Sequence, residues 1–131
     1  MQYRAAIALT SDAGLLAQTY ANLGAAQRTL GEDAQAHGSF EASLRLNPDQ
    51  YNAWLGLGLL AQKEGKLPEA VLHLSRSVEL QPTAEGYLQL GRALAQTNRD
   101  ADALAAFQEA LKISPDMTEA QQAAESLLRL H

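Results

Sequence analysis

Residues 51–82 read YNAWLGLGLLAQKEGKLPEAVLHLSRSVELQP, and this stretch decides the fold. Its first half carries apolar and small residues at helical spacing, as between Trp54 and Leu57. Gly65 tolerates the left-handed backbone conformation that closes a helix C-terminus. A second helical segment follows and ends at Pro82, because proline cannot continue a helix. The stretch therefore predicts two helices joined by a tight turn.

The same pattern occurs three times in the chain, with intervals of 34 and 33 residues. Six columns keep these intervals: Tyr20/Trp54/Tyr87, Leu23/Leu57/Leu90, Gly24/Gly58/Gly91, Ala36/Ala70/Ala103, Phe40/Leu74/Phe107 and Pro48/Pro82/Pro115. The glycine and alanine columns indicate places where two helices approach closely, and the aromatic columns fill the gaps between helices and between repeats. One helix pair cannot bury its apolar face alone, so the pairs are expected to stack.

The periodicity predicts a helix order with short turns. The predicted helices are 12–30, 33–46, 50–64, 67–80, 84–97, 100–113 and 117–130, with a short helix at 2–9. Gly31, Gly65 and Asn98 are expected to close the first helices. Asp33 and Asp100 are expected to cap the second helices that they open.

The columns W/Y-x-x-L-G, A-x-x-x-F and P at this period resemble the tetratricopeptide repeat over residues 17–117. Gln27 stands where the family usually has an aromatic residue, and Leu74 replaces Phe; both are expected to reduce packing without changing the fold. The resemblance implies an all-α fold, an α-solenoid of antiparallel helix pairs in a right-handed superhelix. First helices would line its concave side and second helices its convex side.

The expected organisation is a single domain over residues 1–131. Its repeats are 17–50, 51–83 and 84–117, and 118–131 form a C-terminal capping helix. Residues 3–12 align with the ends of the second helices, so 1–16 are interpreted as the second helix of a partial upstream repeat plus a linker. The chain is therefore expected to belong to a longer array, and an open reading frame that begins at Met1 would contradict this.

Composition excludes several classes of protein. The 131 residues contain no cysteine, which excludes disulfides, thiolate zinc sites and a cysteine nucleophile. A net charge of −5 argues against binding nucleic acid, and no apolar run approaches the length of a membrane span. His37 and His73 lie about one repeat apart, but no further ligand completes a metal site at suitable spacing. The sequence therefore predicts no cofactor, no metal and no catalytic residue.

The family geometry places candidate partner-binding residues on the concave face: Asn22, Arg28, Leu55, Leu59, Lys63, Leu88, Gln89 and Arg92. The three leucines are expected to form an exposed apolar patch, which usually marks a partner site; alternatively, the capping helix or an upstream repeat covers them. The three cations, set against Glu85, make the groove slightly basic. This favours an acidic or C-terminal segment, unless the cations are simply solvated.

The resemblance also bears on the ligand. Family members that bind the C-terminal carboxylate of heat-shock chaperones use Lys, Asn and Arg at slots that here hold Ala21, Ala25, Gly56, Glu85 and Gln89. That ligand is therefore not expected. Asn22 instead resembles the asparagine that grips peptide backbone in the arrays of O-linked N-acetylglucosamine transferases, a role that suits an amide because it both donates and accepts.

The sequence thus predicts a non-catalytic protein–protein interaction module that binds an extended peptide or a partner helix in the concave groove. The expected partner is a protein or peptide, with no nucleic acid and no membrane insertion by this segment. Two alternatives stay open: self-association as an assembly scaffold, and an accessory repeat tail of a larger enzyme such as a glycosyltransferase.

Overall fold

The structure is a computed structural model and describes residues 12–130. Its helices in chain order are α1 (Ala13–Thr29), α2 (Asp33–Leu46), α3 (Tyr51–Lys63), α4 (Leu67–Leu80), α5 (Ala84–Gln96), α6 (Asp100–Ile113) and α7 (Thr118–Leu130). No β-strand occurs among the described residues. The helices that lie in this range agree with the predicted ones to within one residue at each end. The predicted helix at 2–9, the main part of the partial upstream repeat, lies outside the described residues.

The helices pack as successive antiparallel pairs. α1 packs on α2, α3 on α4 and α5 on α6, and each pair then packs against the next. The first helices α1, α3 and α5 also contact one another in sequence, and α7 packs on α5 and α6. The predicted all-α solenoid with a C-terminal helix across its end is confirmed.

The turns within the pairs use the predicted left-handed residues. Gly31, Gly65 and Asn98 have φ angles of 80°, 77° and 63°, a region that glycine and asparagine tolerate best. The capping prediction is wrong in position: α2 and α6 begin at Asp33 and Asp100, so the N-cap residues are Glu32 and Arg99, which make no side-chain cap bond. A carboxylate in the first turn still interacts favourably with the helix dipole.

The glycine column permits close contact between the two helices of each pair. A Cβ atom added at Gly24 would lie 2.6 Å from the ring of Phe40, and one at Gly91 would lie 2.5 Å from the ring of Phe107. The same holds between Gly58 and Leu74, at 2.6 Å. The alanine column is fully buried: Ala36, Ala70 and Ala103. The close approach predicted from both columns is confirmed.

The Phe40 ring also joins the first pair to the second. A Cβ added at Gly56 would lie 2.2 Å from Cζ of Phe40. Gly56 is buried, so this position belongs to the contact between repeats and not to the groove surface. One ring therefore packs against α1 and α3 at the same time.

Two buried serines tie second helices to the starts of their first helices. The Ser43 hydroxyl donates to the carbonyl oxygen of Ala17 at 2.6 Å, and the Ser77 hydroxyl donates to that of Tyr51 at 2.9 Å. Ala110 occupies the equivalent position of the third pair and is fully buried. The first two pairs thus carry a hydrogen bond that the third cannot form.

Replacing Ser77 by alanine is expected to lower the free energy of unfolding by about 1 kcal/mol, the typical net contribution of one hydrogen bond. Urea unfolding followed by circular dichroism measures the change. Ser75→Ala in the same helix is the matched control, because Ser75 is half-buried and makes no hydrogen bond within residues 12–130. Equal effects of the two substitutions would contradict the role given to Ser77.

Candidate functional site

The first helices α1, α3 and α5 contact one another in sequence, and α7 packs on α5. We call the side that these four helices share the concave face, and the sequence-predicted residues differ in their exposure on it. Asn22, Lys63 and Arg92 are exposed; Arg28, Leu55, Leu59 and Gln89 are half-buried; Leu88 is buried. Seven of the eight side chains are therefore accessible to a partner in some degree.

Leu88 is the exception, and the prediction that it belongs to an exposed apolar patch is wrong. Its side chain is 0% exposed and lies in the core cluster shared by the second and third helix pairs. The reason is that α5 packs against both α3 and α4, which covers this position of the helix. Leu55 packs against the margin of the same cluster. Of the three predicted leucines, only the half-buried Leu55 and Leu59 therefore keep apolar surface accessible.

The predicted cations also divide into two kinds. Lys63 Nζ lies 2.7 Å from Oδ2 of Asp33, so its charge is largely compensated within the domain. Arg28 and Arg92 make no ion pair with any residue in the range 12–130. Their guanidinium groups remain available for a carboxylate or a phosphate.

A chain of amide side chains crosses from the turn before α3 onto α1. Asn47 Nδ2 donates to Gln50 Oε1 at 3.3 Å. Gln50 Nε2 donates to Gln18 Oε1 at 2.9 Å and to Asn52 Oδ1 at 2.7 Å. Gln18 Nε2 then donates to Asn22 Oδ1 at 3.4 Å. We call these five residues the amide relay.

The direction of the amide relay is set by the backbone. The Asp49 N–H donates to Asn47 Oδ1 at 3.1 Å, and a backbone N–H can only donate. The nitrogen of Asn47 must therefore face Gln50, and the same constraint passes along each amide to the end of the relay. The Nδ2 groups of Asn22 and Asn52 are left without a partner among residues 12–130, so the relay ends in two donors.

Of the amide relay, the sequence predicts Asn22 as a partner-binding residue and places Gln18 and Asn52 at groove-facing positions as well. Gln50 precedes α3 and belongs to none of the repeat columns, although its side chain is buried at the centre of the relay. The signal available in the sequence was the amide-rich segment Asn-Pro-Asp-Gln-Tyr-Asn at 47–52. The hydrogen bond from Gln50 of this segment to Gln18 of α1 depends on how the first two helix pairs stack.

A cleft of about 310 Å³ opens between α5 and α7. Its lining residues come from four helices: Gln62, Arg92, Ala95, Gln96, Phe107, Ala123, Ser126 and Leu127. We call it the α7 cleft. Phe107 and Leu127 are buried, whereas Arg92, Gln96 and Ser126 are exposed. The cleft therefore has an apolar floor and a polar rim with one cation.

The two histidines flagged by the sequence do not form a reactive site. His37 Nδ1 lies 3.2 Å from Oε1 of Glu41, and the ring of His73 lies against Trp54 with centroids 5.5 Å apart. Burial lowers the pKa of His73 below its ordinary value, which favours the neutral form of the ring. Within the described part of the chain, no three His, Cys, Asp or Glu residues are grouped so that they could hold a metal ion.

Among the helices that the structure describes, none combines the length and apolar character needed to cross a membrane.

Comparison with known proteins identifies the fold. A model described as "Tetratricopeptide repeat" matches residues 22–85 and 61–118. A segment of 44 residues is 41% identical to anaphase-promoting complex subunit 3 of Schizosaccharomyces pombe, and this match covers 34% of the chain and 7% of that protein. The chain thus spans only a small part of the length of this curated relative.

Two solved structures show the same architecture. The Arabidopsis OM64 TPR domain superposes with a TM-score of 0.84 at 16% identity, covering 92% of this chain and all of that one. The first TPR of Spaghetti, solved bound to an HSP90 peptide, has a TM-score of 0.83 at 14% identity and covers 89% and 94% of the two chains. These similarities establish the fold, and the family model extends over most of the sequence. The chain belongs to the tetratricopeptide repeat family.

Proposed function

We propose that this domain binds an extended peptide along its concave face. The observation that carries the proposal is the amide relay, which ends in the unpartnered Nδ2 groups of Asn22 and Asn52. An extended peptide presents backbone carbonyl groups that need donors when they leave water. A helical partner already satisfies its backbone groups internally, so it has less need of these donors. The relay therefore favours an extended ligand over a partner helix.

Other features of the face suit the same ligand. The half-buried Leu55 and Leu59 lie on α3, between the relay and the α7 cleft, and offer apolar contact. Arg28 and Arg92 offer positive charge that no carboxylate of residues 12–130 compensates. Gln89 is less available, because its Nε2 group already donates a hydrogen bond to Glu85 Oε1 at 2.9 Å. A few placed polar groups on a largely apolar surface are typical of binding sites.

The comparisons support the general class. Domains of this family are in general non-catalytic interaction modules, and the Spaghetti domain of the same fold was solved with a bound peptide. The slots that contact a chaperone carboxylate in the family hold Ala21, Ala25, Gly56, Glu85 and Gln89 here, and two of them, Ala21 and Gly56, are buried. We therefore expect a peptide of different chemistry.

The double substitution Asn22→Ala with Asn52→Ala is expected to weaken peptide binding about thirtyfold, because two hydrogen bonds of about 1 kcal/mol each are lost. The ligands are dodecapeptides selected on the wild-type domain from a random phage-displayed library. Fluorescence anisotropy with the synthetic peptides gives the dissociation constants.

The matched control is Gln35→Ala with Gln108→Ala, which removes two exposed amides from the second helices α2 and α6. This control is expected to leave binding unchanged. A library that yields no peptide, or peptides whose binding the two double variants affect equally, would refute the proposal.

A further inference from the structure

We propose that the α7 cleft binds an aliphatic side chain of the peptide, while Arg92 binds an Asp or Glu side chain two residues away in the same peptide. This inference rests on the proposed function and names the chemistry of its ligand. It concerns the end of the concave face opposite the amide relay.

The cleft is built to take an apolar group. The Phe107 ring is fixed against Gly91, where an added Cβ would lie only 2.5 Å away, and Leu127 is buried beside it. Ala95 and Ala123 line the cleft from α5 and α7. Because both alanine side chains are single methyl groups, they leave open the space that a larger residue would fill. An aliphatic side chain in this space would remove its own surface and that of the floor from water.

The rim supplies the charge complementarity. Most cations of the described chain already have carboxylate partners, namely Lys63, Lys66, Arg76, Arg99, Lys112 and Arg129. Arg92 is exposed at the mouth of the cleft and has none within residues 12–130. A guanidinium group binds a carboxylate through two parallel hydrogen bonds. The rim is therefore suited to an acidic side chain.

The spacing follows from the geometry of an extended chain. Side chains two residues apart point to the same face and lie about 6.5 to 7 Å from one another. Arg92 and the apolar floor line the same cleft, so the aliphatic and acidic residues must share one face of the peptide. The cleft is an open groove and not an enclosed cavity, so a chain can pass through it. This favours an internal Asp or Glu over a terminal carboxylate.

The probe is an acetylated and amidated dodecapeptide of Ser and Gly that carries one Leu-Ser-Glu segment. Titration into isotope-labelled domain is expected to shift the methyl signals of Ala123 and Leu127 and the Nε signal of Arg92. Changing the segment to Leu-Ser-Gln or to Ala-Ser-Glu is expected to weaken binding about tenfold in each case. Added salt is expected to weaken only the peptides that carry Glu.

Two substitutions in the domain test the same contacts. Arg92→Gln is expected to remove the preference for Glu over Gln, and Ala123→Leu is expected to fill the cleft and remove the preference for Leu over Ala. Arg45→Gln is the matched control: Arg45 is also exposed and without an ion pair in the described range, but it lines a separate cleft beside Glu41 and Trp54. It is expected to leave both preferences intact.

Each other outcome overturns the inference. If the Asn22 and Asn52 substitutions weaken binding but Arg92→Gln does not change the preference for Glu, the proposed function stands and this assignment fails. If a peptide with Leu at a free C-terminus binds ten times more tightly than the Leu-Ser-Glu peptide, Arg92 binds a terminal carboxylate and the assignment to an Asp or Glu side chain fails. If neither the phage-selected peptides nor the Leu-Ser-Glu peptide binds at about 1 mM, which corresponds to a binding free energy of about 4 kcal/mol, both proposals are overturned.

Discussion

Replacing Gly56 by alanine is expected to lower the free energy of unfolding by about 2 kcal/mol, although alanine is the better helix former by about 1 kcal/mol. The added methyl group would lie 2.2 Å from the Phe40 ring. That ring cannot withdraw towards α1, because Gly24 is already in close contact with it. The second helix pair must therefore move away from the first. Urea unfolding measures the loss.

Gly38→Ala is the matched control for this substitution. Gly38 also lies inside a helix, α2, but a Cβ added there meets nothing within 4 Å. Its replacement is expected to raise the unfolding free energy by about 0.5 to 1 kcal/mol, which is the helix propensity alone. Adding Phe40→Leu to Gly56→Ala is expected to restore part of the loss, as Leu74 already fills this column in the second repeat. Equal stabilities of Gly38→Ala and Gly56→Ala would show that Phe40 does not join the first two pairs.

Leu88→Ala is expected to lower the free energy of unfolding by about 3 kcal/mol, because it removes a fully buried side chain from the core cluster of the second and third pairs. Leu72→Ala is the control, since Leu72 is 65% exposed and its truncation is expected to change stability by less than about 0.5 kcal/mol. Both values come from urea unfolding.

The position of Leu88 also changes how binding must be tested. A charge at this site would unfold the domain, so lost binding in Leu88→Glu would say nothing about the groove. Leu55 and Leu59 are half-buried and are the proper sites for apolar substitutions that test contact with a peptide. A Leu88→Ala variant with unchanged stability and lost peptide binding would contradict the burial and restore Leu88 to the binding face.

The contacts within each helix pair could be predicted from the sequence, and so could the place of the aromatic rings between repeats, but not which groove positions the stacking of the pairs would bury. Gly24 and Phe40 belong to one repeat, so their columns already indicate close packing. Gly56 and Leu88 occupy positions whose exposure depends on how neighbouring pairs stack. Their burial follows from the Phe40 ring in one case and from the packing of α5 on α3 and α4 in the other.

The candidate site was predictable only where it coincided with family positions. Asn22 and Arg92 were found because they lie at groove slots of first helices. Gln50 lies outside the repeat columns, and its role depends on a hydrogen bond to Gln18, 32 residues away. Ala123 and Leu127 belong to a segment that lacks the aromatic and glycine columns. The sequence therefore predicts only a polar capping helix there, and no binding residues.

The turn that joins the first two repeats affects binding as well as folding, through the Asp49 N–H. That single backbone group orients the amide donors of Asn22 and Asn52 at the binding face. The conformation of the turn between the repeats therefore determines whether these donors can bind the main chain of a ligand. On our proposal, the amide relay binds any peptide through its backbone carbonyl groups. Discrimination between peptide sequences then depends on the α7 cleft and Arg92. New specificities can then arise at the α7 end, while the grip on the main chain stays unchanged.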